Sequence, residues 1–406
     1  MTSNRQQFGR MCALLAVAML TATTQVPGQD ATTAALRNAA RSIAAGNLES
    51  AERELQSVLR NRPGDYRALD LMGIIRVQQH REPEAEEVFQ QAIRRKPDFA
   101  SAHVHLGLLY VQTGRQAEAV PQLREGLRID PTRTDASAAL VYIWRDAAWV
   151  AANAGDFEKA LALLLDARKL APDNPDVQFA FGMVALKMSL PTDAIEAFQK
   201  TLKLRDKDPV ALYGLGRAFM GLSKFEDARV QFARYTELRP ADASGYCALG
   251  MTLAALERSA EARIQFQKSI AITPAQTESY FRLGLLDIDS KDLDSAASNL
   301  HRVLDRDSKH AGALAALGRV EFERKHYTEA ADLLRQATAI DDSLREAHYY
   351  LGLTFARMGR KQESDAQLQI ATRLEHDEVE KHRTIFRIED SEDPLKLDQP
   401  VPSTPQ

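Results

Sequence analysis

A chain of 406 residues with 20 Gly, 16 Pro and 27% charged side chains is too poor in chain-breakers for a collagen-like or wholly disordered class. Its 52 basic against 56 acidic residues leave a formal charge of −4, so no bulk basicity draws it to nucleic acid or to an anionic membrane surface. Two cysteines, Cys12 and Cys247, cannot frame a disulfide-stapled fold or a Cys-rich zinc site.

At the N-terminus, Arg5 and Arg10 precede the apolar run Met11–Leu20, and hydroxyl and small residues follow at Thr21–Thr24. That order predicts a secretory signal peptide over 1–24, with cleavage between Ala22 and Gln29. The protein is then periplasmic or secreted. The alternative is an uncleaved N-terminal tether, although the run falls short of the roughly 20 apolar residues of a full span. No second run of that kind follows, so no membrane span is expected in the mature chain. Cys247, left alone in an oxidising compartment, is expected to be buried.

Internal period decides the architecture. A small residue recurs at Ala39, Gly73, Gly107, Ala148, Gly182, Gly216, Gly250, Gly284, Gly318 and Gly352, with eight of nine steps equal to 34 residues. Twelve residues after each comes Ala51, Ala85, Ala119, Ala160, Ala194, Ala228, Ala262, Ala296 and Ala330, with Ser364 ending the series. Four further on sit Leu55, Phe89, Leu123, Leu164, Phe198, Phe232, Phe266, Leu300, Leu334 and Leu368. Each unit reads as two antiparallel helices: in the third, Ala102, Leu106, Leu109 and Tyr110 keep helical spacing, Thr113-Gly114-Arg115 breaks the run, and Asp130-Pro131 ends its successor. Gly107 and Ala119 let the two backbones approach while Tyr110 and Leu123 fill the space around them. One such pair cannot bury its own apolar face, so stability rests on stacking.

The units resemble tetratricopeptide repeats on Leu106-Gly107, Tyr110, Ala119, Leu123 and Pro131, and again on Leu215-Gly216, Phe219, Ala228, Phe232 and Pro240. Ten repeats span 32–378, and the resemblance implies an all-α, right-handed superhelical solenoid. Between Gly107 and Ala148 seven residues are added, at 134–140, about 10 Å of helix. They predict an elongated first helix in the fourth repeat, from near Asp135 to Ala154, capped by Thr134 or Asp135. Residues 379–406, with Pro394, Pro400, Pro402 and Pro405, read as a C-terminal extension, helical to about Ile388 and largely flexible beyond.

No catalytic residue and no cofactor motif is found. His103 and His105 are two apart and point to different sides of a helix, so no metal site is expected. The resemblance implies a groove lined by the residues three before and one after each small slot, and there the chain carries Arg145 and Trp149, Phe179 and Met183, Tyr213 and Arg217, Cys247 and Met251, and Phe281 and Leu285, with Arg319 and Tyr349 further on. The Lys and Asn of the family's carboxylate clamp occupy those slots in no repeat. Tyr142, Arg145 and Trp149 share one helical face by their i, i+3, i+7 spacing, whereas Trp144 reads as core. The partner-binding candidates are thus Tyr142, Arg145, Trp149, Phe179, Met183, Tyr213, Arg217, Met251 and Phe281. These Tyr, Phe, Met and Arg side chains suit an interface. They predict a non-catalytic scaffold of the cell envelope or exterior that binds a protein or peptide; the alternative is a carbohydrate-binding or polysaccharide-export scaffold, with sugar faces stacked on the rings.

Overall fold

The computed structural model describes residues 31–381, with side chains to 375. The signal-peptide expectation therefore lies outside the described residues, as does that for the extension beyond Lys381. Among the described residues there are twenty helices and no strand. They form ten pairs: Ala31–Ala44 with Leu48–Asn61, Tyr66–Gln78 with Glu82–Arg95, Ala100–Gln112 with Gln116–Ile129, Thr134–Asn153 with Phe157–Leu170, Pro175–Lys187 with Pro191–Leu204, Pro209–Gly221 with Phe225–Leu238, Ala243–Ala255 with Ser259–Ile272, Thr277–Asp289 with Leu293–Leu304, Ala311–Glu323 with Tyr327–Ile340, and Arg345–Arg357 with Lys361–Lys381. The chain is all-α, as the repeat predicts. It divides into two compact bodies, Met1–Val177 and Gln178–Gln406. Within each body, second helices pack on the first helix of the next repeat, which is how stacked pairs bury what one pair cannot.

The small slot brings the two helices together as expected, the Leu123 backbone nitrogen lying 3.3 Å from where a Cβ at Gly107 would stand, but its nearest partner is the side chain sixteen residues on: that Cβ would stand 2.7 Å from Leu123 Cγ, and one at Gly73 would stand 2.4 Å from Phe89 Cε1. The second-helix side chain is a knob, and the glycine is the hole that admits it. The knobs of the first nine repeats are thoroughly buried, Phe89, Leu123, Leu164 and Phe198 among them, whereas Leu368 of the last is partly exposed.

Every turn within a repeat holds one residue in the left-handed region. Four are glycines, Gly46, Gly114, Gly155 and Gly359; the other six are His80, Ser189, Ser223, Glu257, Lys291 and Lys325, with φ between 55° and 66°. The left-handed residue lets the chain reverse and the second helix fold back on the first. A side chain there costs of order 1 kcal/mol, which stacking offsets.

In the fourth repeat the first helix runs Thr134–Asn153, 20 residues against the usual 13. Its capping differs from expectation. The residue ahead of the helix is Arg133, which makes no side-chain cap, and Asp135 turns inward, where Arg133 Nε and Nη2 donate to its two oxygens at 2.9 and 2.7 Å. Burial pushes the Asp135 carboxyl up, but the two guanidinium bonds outweigh it and hold it below the ordinary range. Arg133 also donates to Ser101 Oγ at 3.0 Å, fastening this helix to the repeat before it. Trp144 is buried, as expected, with the Arg124 guanidinium 5.2 Å from its ring centre.

Candidate functional site

In the first body, Tyr142, Arg145 and Trp149 are all partly exposed on the elongated helix. Arg145 is not a bare cation awaiting a carboxylate: its Nη1 donates to Asp176 Oδ2 at 3.0 Å. The two histidines of the third repeat have separate partners. His103 bonds Gln122 and the Pro97 carbonyl at 2.8 and 2.9 Å, while His105 Nδ1 lies 2.8 Å from the buried carboxylate of Asp70.

The second body corrects the candidate set. Met183, Tyr213 and Met251 are 4%, 0% and 3% exposed and offer a partner no surface. For Tyr213 the reason is close packing within its own repeat and against the next. Tyr213 is enclosed by the rings of Phe232 and Tyr235, at centroid distances of 5.4 and 5.1 Å, and Tyr235 is admitted by Gly245 of the next repeat, whose added Cβ would stand 2.5 Å from it. Cys247 is buried too, so its slot is covered rather than open. Phe179, Arg217 and Phe281 stay partly exposed. Phe179 leans edge-on toward Phe198 at 6.1 Å, and Phe281 packs on the His310 ring at 5.0 Å.

The accessible stretch of slots lies further along, on the first helices of repeats eight to ten. Arg319 bridges them: its guanidinium meets Glu346 at 3.0 Å and Asp289 at 3.4 Å and lies 5.4 Å from the Tyr350 ring centre. Burial works against the Arg319 charge, but the neighbouring Tyr350 and Glu346 oxygens overcome it and raise its pKa. Burial also pushes the Tyr350 phenol up. Beside it Tyr349 stands 42% exposed, edge-on to Tyr350 at 5.4 Å. This is a rigid aromatic and guanidinium surface with one ring open to solvent. Sequence reasoning placed Arg319 and Tyr349 in groove slots but favoured the cluster around Trp149. One further group escaped it: Glu321, His326 and Glu329, split across a turn, bring three metal-ligating atoms within 4.8 Å of one another.

Paired helices, a small slot with a knob sixteen residues on, and a left-handed turn in every repeat define a tetratricopeptide-type array. A family model described as "Cilia and flagella-associated protein 70 C-terminal domain" matches residues 28–279, and one described as "Tetratricopeptide repeat" matches 287–378. The chain belongs to this tetratricopeptide-repeat family. Solved structures similar to it include MamA (crystal structure), with 25% identity, coverage of 40% of this chain and 94% of that one, and a TM-score of 0.38. A fragment of MamA from Desulfovibrio magneticus RS-1 has 21% identity, coverage of 42% and 97%, and a TM-score of 0.40. The APC/C hetero-tetramer Cut9-Hcn1 has 15% identity, coverage of 92% of both chains and a TM-score of 0.48. No curated protein gives a significant match. Among the described residues no helix is long and apolar enough to cross a membrane.

Proposed function

We propose that this chain is a non-catalytic scaffold that binds a protein or peptide partner along the first-helix face of its repeats. The observation that carries the reading is the Arg319, Tyr349 and Tyr350 surface, where an exposed ring stands beside a guanidinium held by Glu346. A peptide presenting an apolar side chain beside hydrogen-bond acceptors suits it. The carbohydrate alternative has less support, because stacking on sugars needs a run of open ring faces and Tyr213, in the middle of the candidate set, is fully buried. In a peptide-display selection on the purified mature protein, Tyr349→Ala should weaken the selected ligand about tenfold or more with its melting temperature unchanged. Leu165→Ala, an exposed position on a second helix, should leave binding intact. Equal binding by wild type and Tyr349→Ala would place the interface elsewhere.

We further propose that the scaffold works outside the cytoplasm, on the support of Arg5, Arg10 and the apolar run Met11–Leu20. Sequencing of the native protein's N-terminus should start between Thr23 and Asp30; an intact Met1 on a protein recovered from cytosol refutes the proposal.

A further inference from the structure

The residue just ahead of the second helix follows a pattern. In repeats two, three, seven and ten it is Arg81, Arg115, Arg258 and Arg360, and each bonds the glutamate three residues on, Glu84, Glu118, Glu261 and Glu363, at 2.6, 2.6, 2.7 and 2.6 Å. The first turn of the second helix is thus built around a carboxylate held by a permanent cation. In repeat nine the glutamate is kept as Glu329, but the arginine is replaced by His326, which is charged only when protonated. A second carboxylate is added there as well. Glu321, five residues before the histidine, stands where those four repeats carry Arg76, Tyr110, Leu253 and Phe355. Repeat nine therefore puts a histidine where the helix-start cation stood and adds an acid, while Arg324 and Lys325 supply positive charge just before it.

The geometry gathers these groups. Lys325, at φ 66°, swings His326 back over the end of the preceding helix, and its Nδ1 comes to 2.7 Å from Glu321 Oε2 and 3.6 Å from Glu329 Oε2. Glu321 is mostly buried and braced from its other side, where Arg324 Nη1 donates to Oε1 at 2.8 Å, so Oε2 is left facing the ring. A ring nitrogen with two carboxylate oxygens is a donor set for borderline divalent metals, whose other positions water can fill. An outer-sphere bond such as that from Arg324 is what keeps a ligating carboxylate in place. We propose that Glu321, His326 and Glu329 bind one divalent transition-metal ion of the zinc class.

Bonds of about 2.0–2.1 Å put tetrahedral zinc donors about 3.3 Å apart. The pair at 2.7 Å must open slightly and the widest must close from within 4.8 Å. Both adjustments fall to exposed side chains, since His326 and Glu329 are 57% and 71% exposed. That mobility, with the positive charges of Arg324 and Lys325 close by, sets a modest affinity. Glu321 is two residues beyond Arg319 of the proposed partner surface and so on another side of the same helix, and the test reads metal rather than peptide binding, so the two readings fail separately.

The test titrates ZnCl₂ into the full chain, freed of metal by a chelator, in a calorimeter. Wild type should take up one ion far more weakly than a four-ligand structural zinc site, with a Kd of about 10 μM, or about −7 kcal/mol. His326→Arg restores the side chain of four sister repeats and should keep the helical signal and melting temperature while weakening that site at least tenfold. Glu329→Gln, at an exposed position, should weaken it several-fold. Identical Zn²⁺ stoichiometry and Kd in wild type and His326→Arg, or a wild-type Kd no tighter than about 1 mM, would overturn the assignment.

Discussion

Phe198→Ala is expected to cost the second body about 3–5 kcal/mol of stability, in the upper part of that range. The ring is 0% exposed and sits between two glycines: a Cβ at Gly182 would stand 2.9 Å from it and one at Gly214 would stand 2.5 Å away. A large-to-small change hurts least when neighbouring side chains can swing into the void, and two of the nearest neighbours here have none to swing. The cavity therefore stays open, and its walls lose dispersion contacts on top of the transfer term. Phe198→Leu should cost much less, about 1 kcal/mol, because Leu123, Leu300 and Leu334 fill the same position over glycines elsewhere. Because interactions in a stacked array are local, the loss should show as a lowered midpoint for part of the unfolding curve in urea, followed by circular dichroism. A loss below about 1 kcal/mol for Phe198→Ala would mean that the stack repacks freely, against the close-packed core described above.

Much of this was legible because the spacing is so regular. The ten small slots and their knobs fixed helix pairs, turns and repeat count, since a stagger of 34 residues returns the same face to the same neighbour. The elongated helix was legible from seven inserted residues without Gly or Pro. Slot direction did not give slot exposure. Position on a helix says where a side chain starts, whereas burial depends on how near the next repeat lies, and that nearness is set by a second group of glycines. Gly214 and Gly245, outside the regular series, admit Phe198 and Tyr235 and so help close the surroundings of Tyr213; those glycines were the available signal. The capping of the long helix was only partly legible because Asp135 shares its carboxylate between the Ala136 N–H, at 2.9 Å, and the charge-assisted bonds from Arg133. Glu321 and His326 were missed because no helical spacing joins two residues across a left-handed turn.

The knob-in-hole reading makes a second, sharper prediction from the two repeats that break the glycine series. Ala39 and Ala148 take the slot in repeats one and four, and their knobs are Leu55 and Leu164; every phenylalanine knob, Phe89, Phe198, Phe232 and Phe266, faces a glycine. A leucine knob can shift aside for a methyl group as a ring cannot, although over the leucines that face glycines an added Cβ would still come within 3.0 Å. Gly73→Ala puts a Cβ 2.4 Å from Phe89 Cε1, an overlap that should cost about 1–3 kcal/mol through displaced side chains. The roughly 1 kcal/mol gained by alanine over glycine inside a helix offsets only part of it. Phe89→Leu alone should also destabilise, by about 1 kcal/mol, since it leaves unfilled space over Gly73. Combined, the two changes recreate the pairing of Ala39 with Leu55, and the double variant should be more stable than the sum of the singles by about 1 kcal/mol or more, a coupling expected only between residues in direct contact. The check is a double-mutant cycle measured by urea unfolding of the four proteins. Strict additivity would show that the glycine is there for some other reason, such as backbone approach between the two helices. A rescue in this cycle would tie the choice of small residue in the second repeat to the shape of the side chain sixteen positions later.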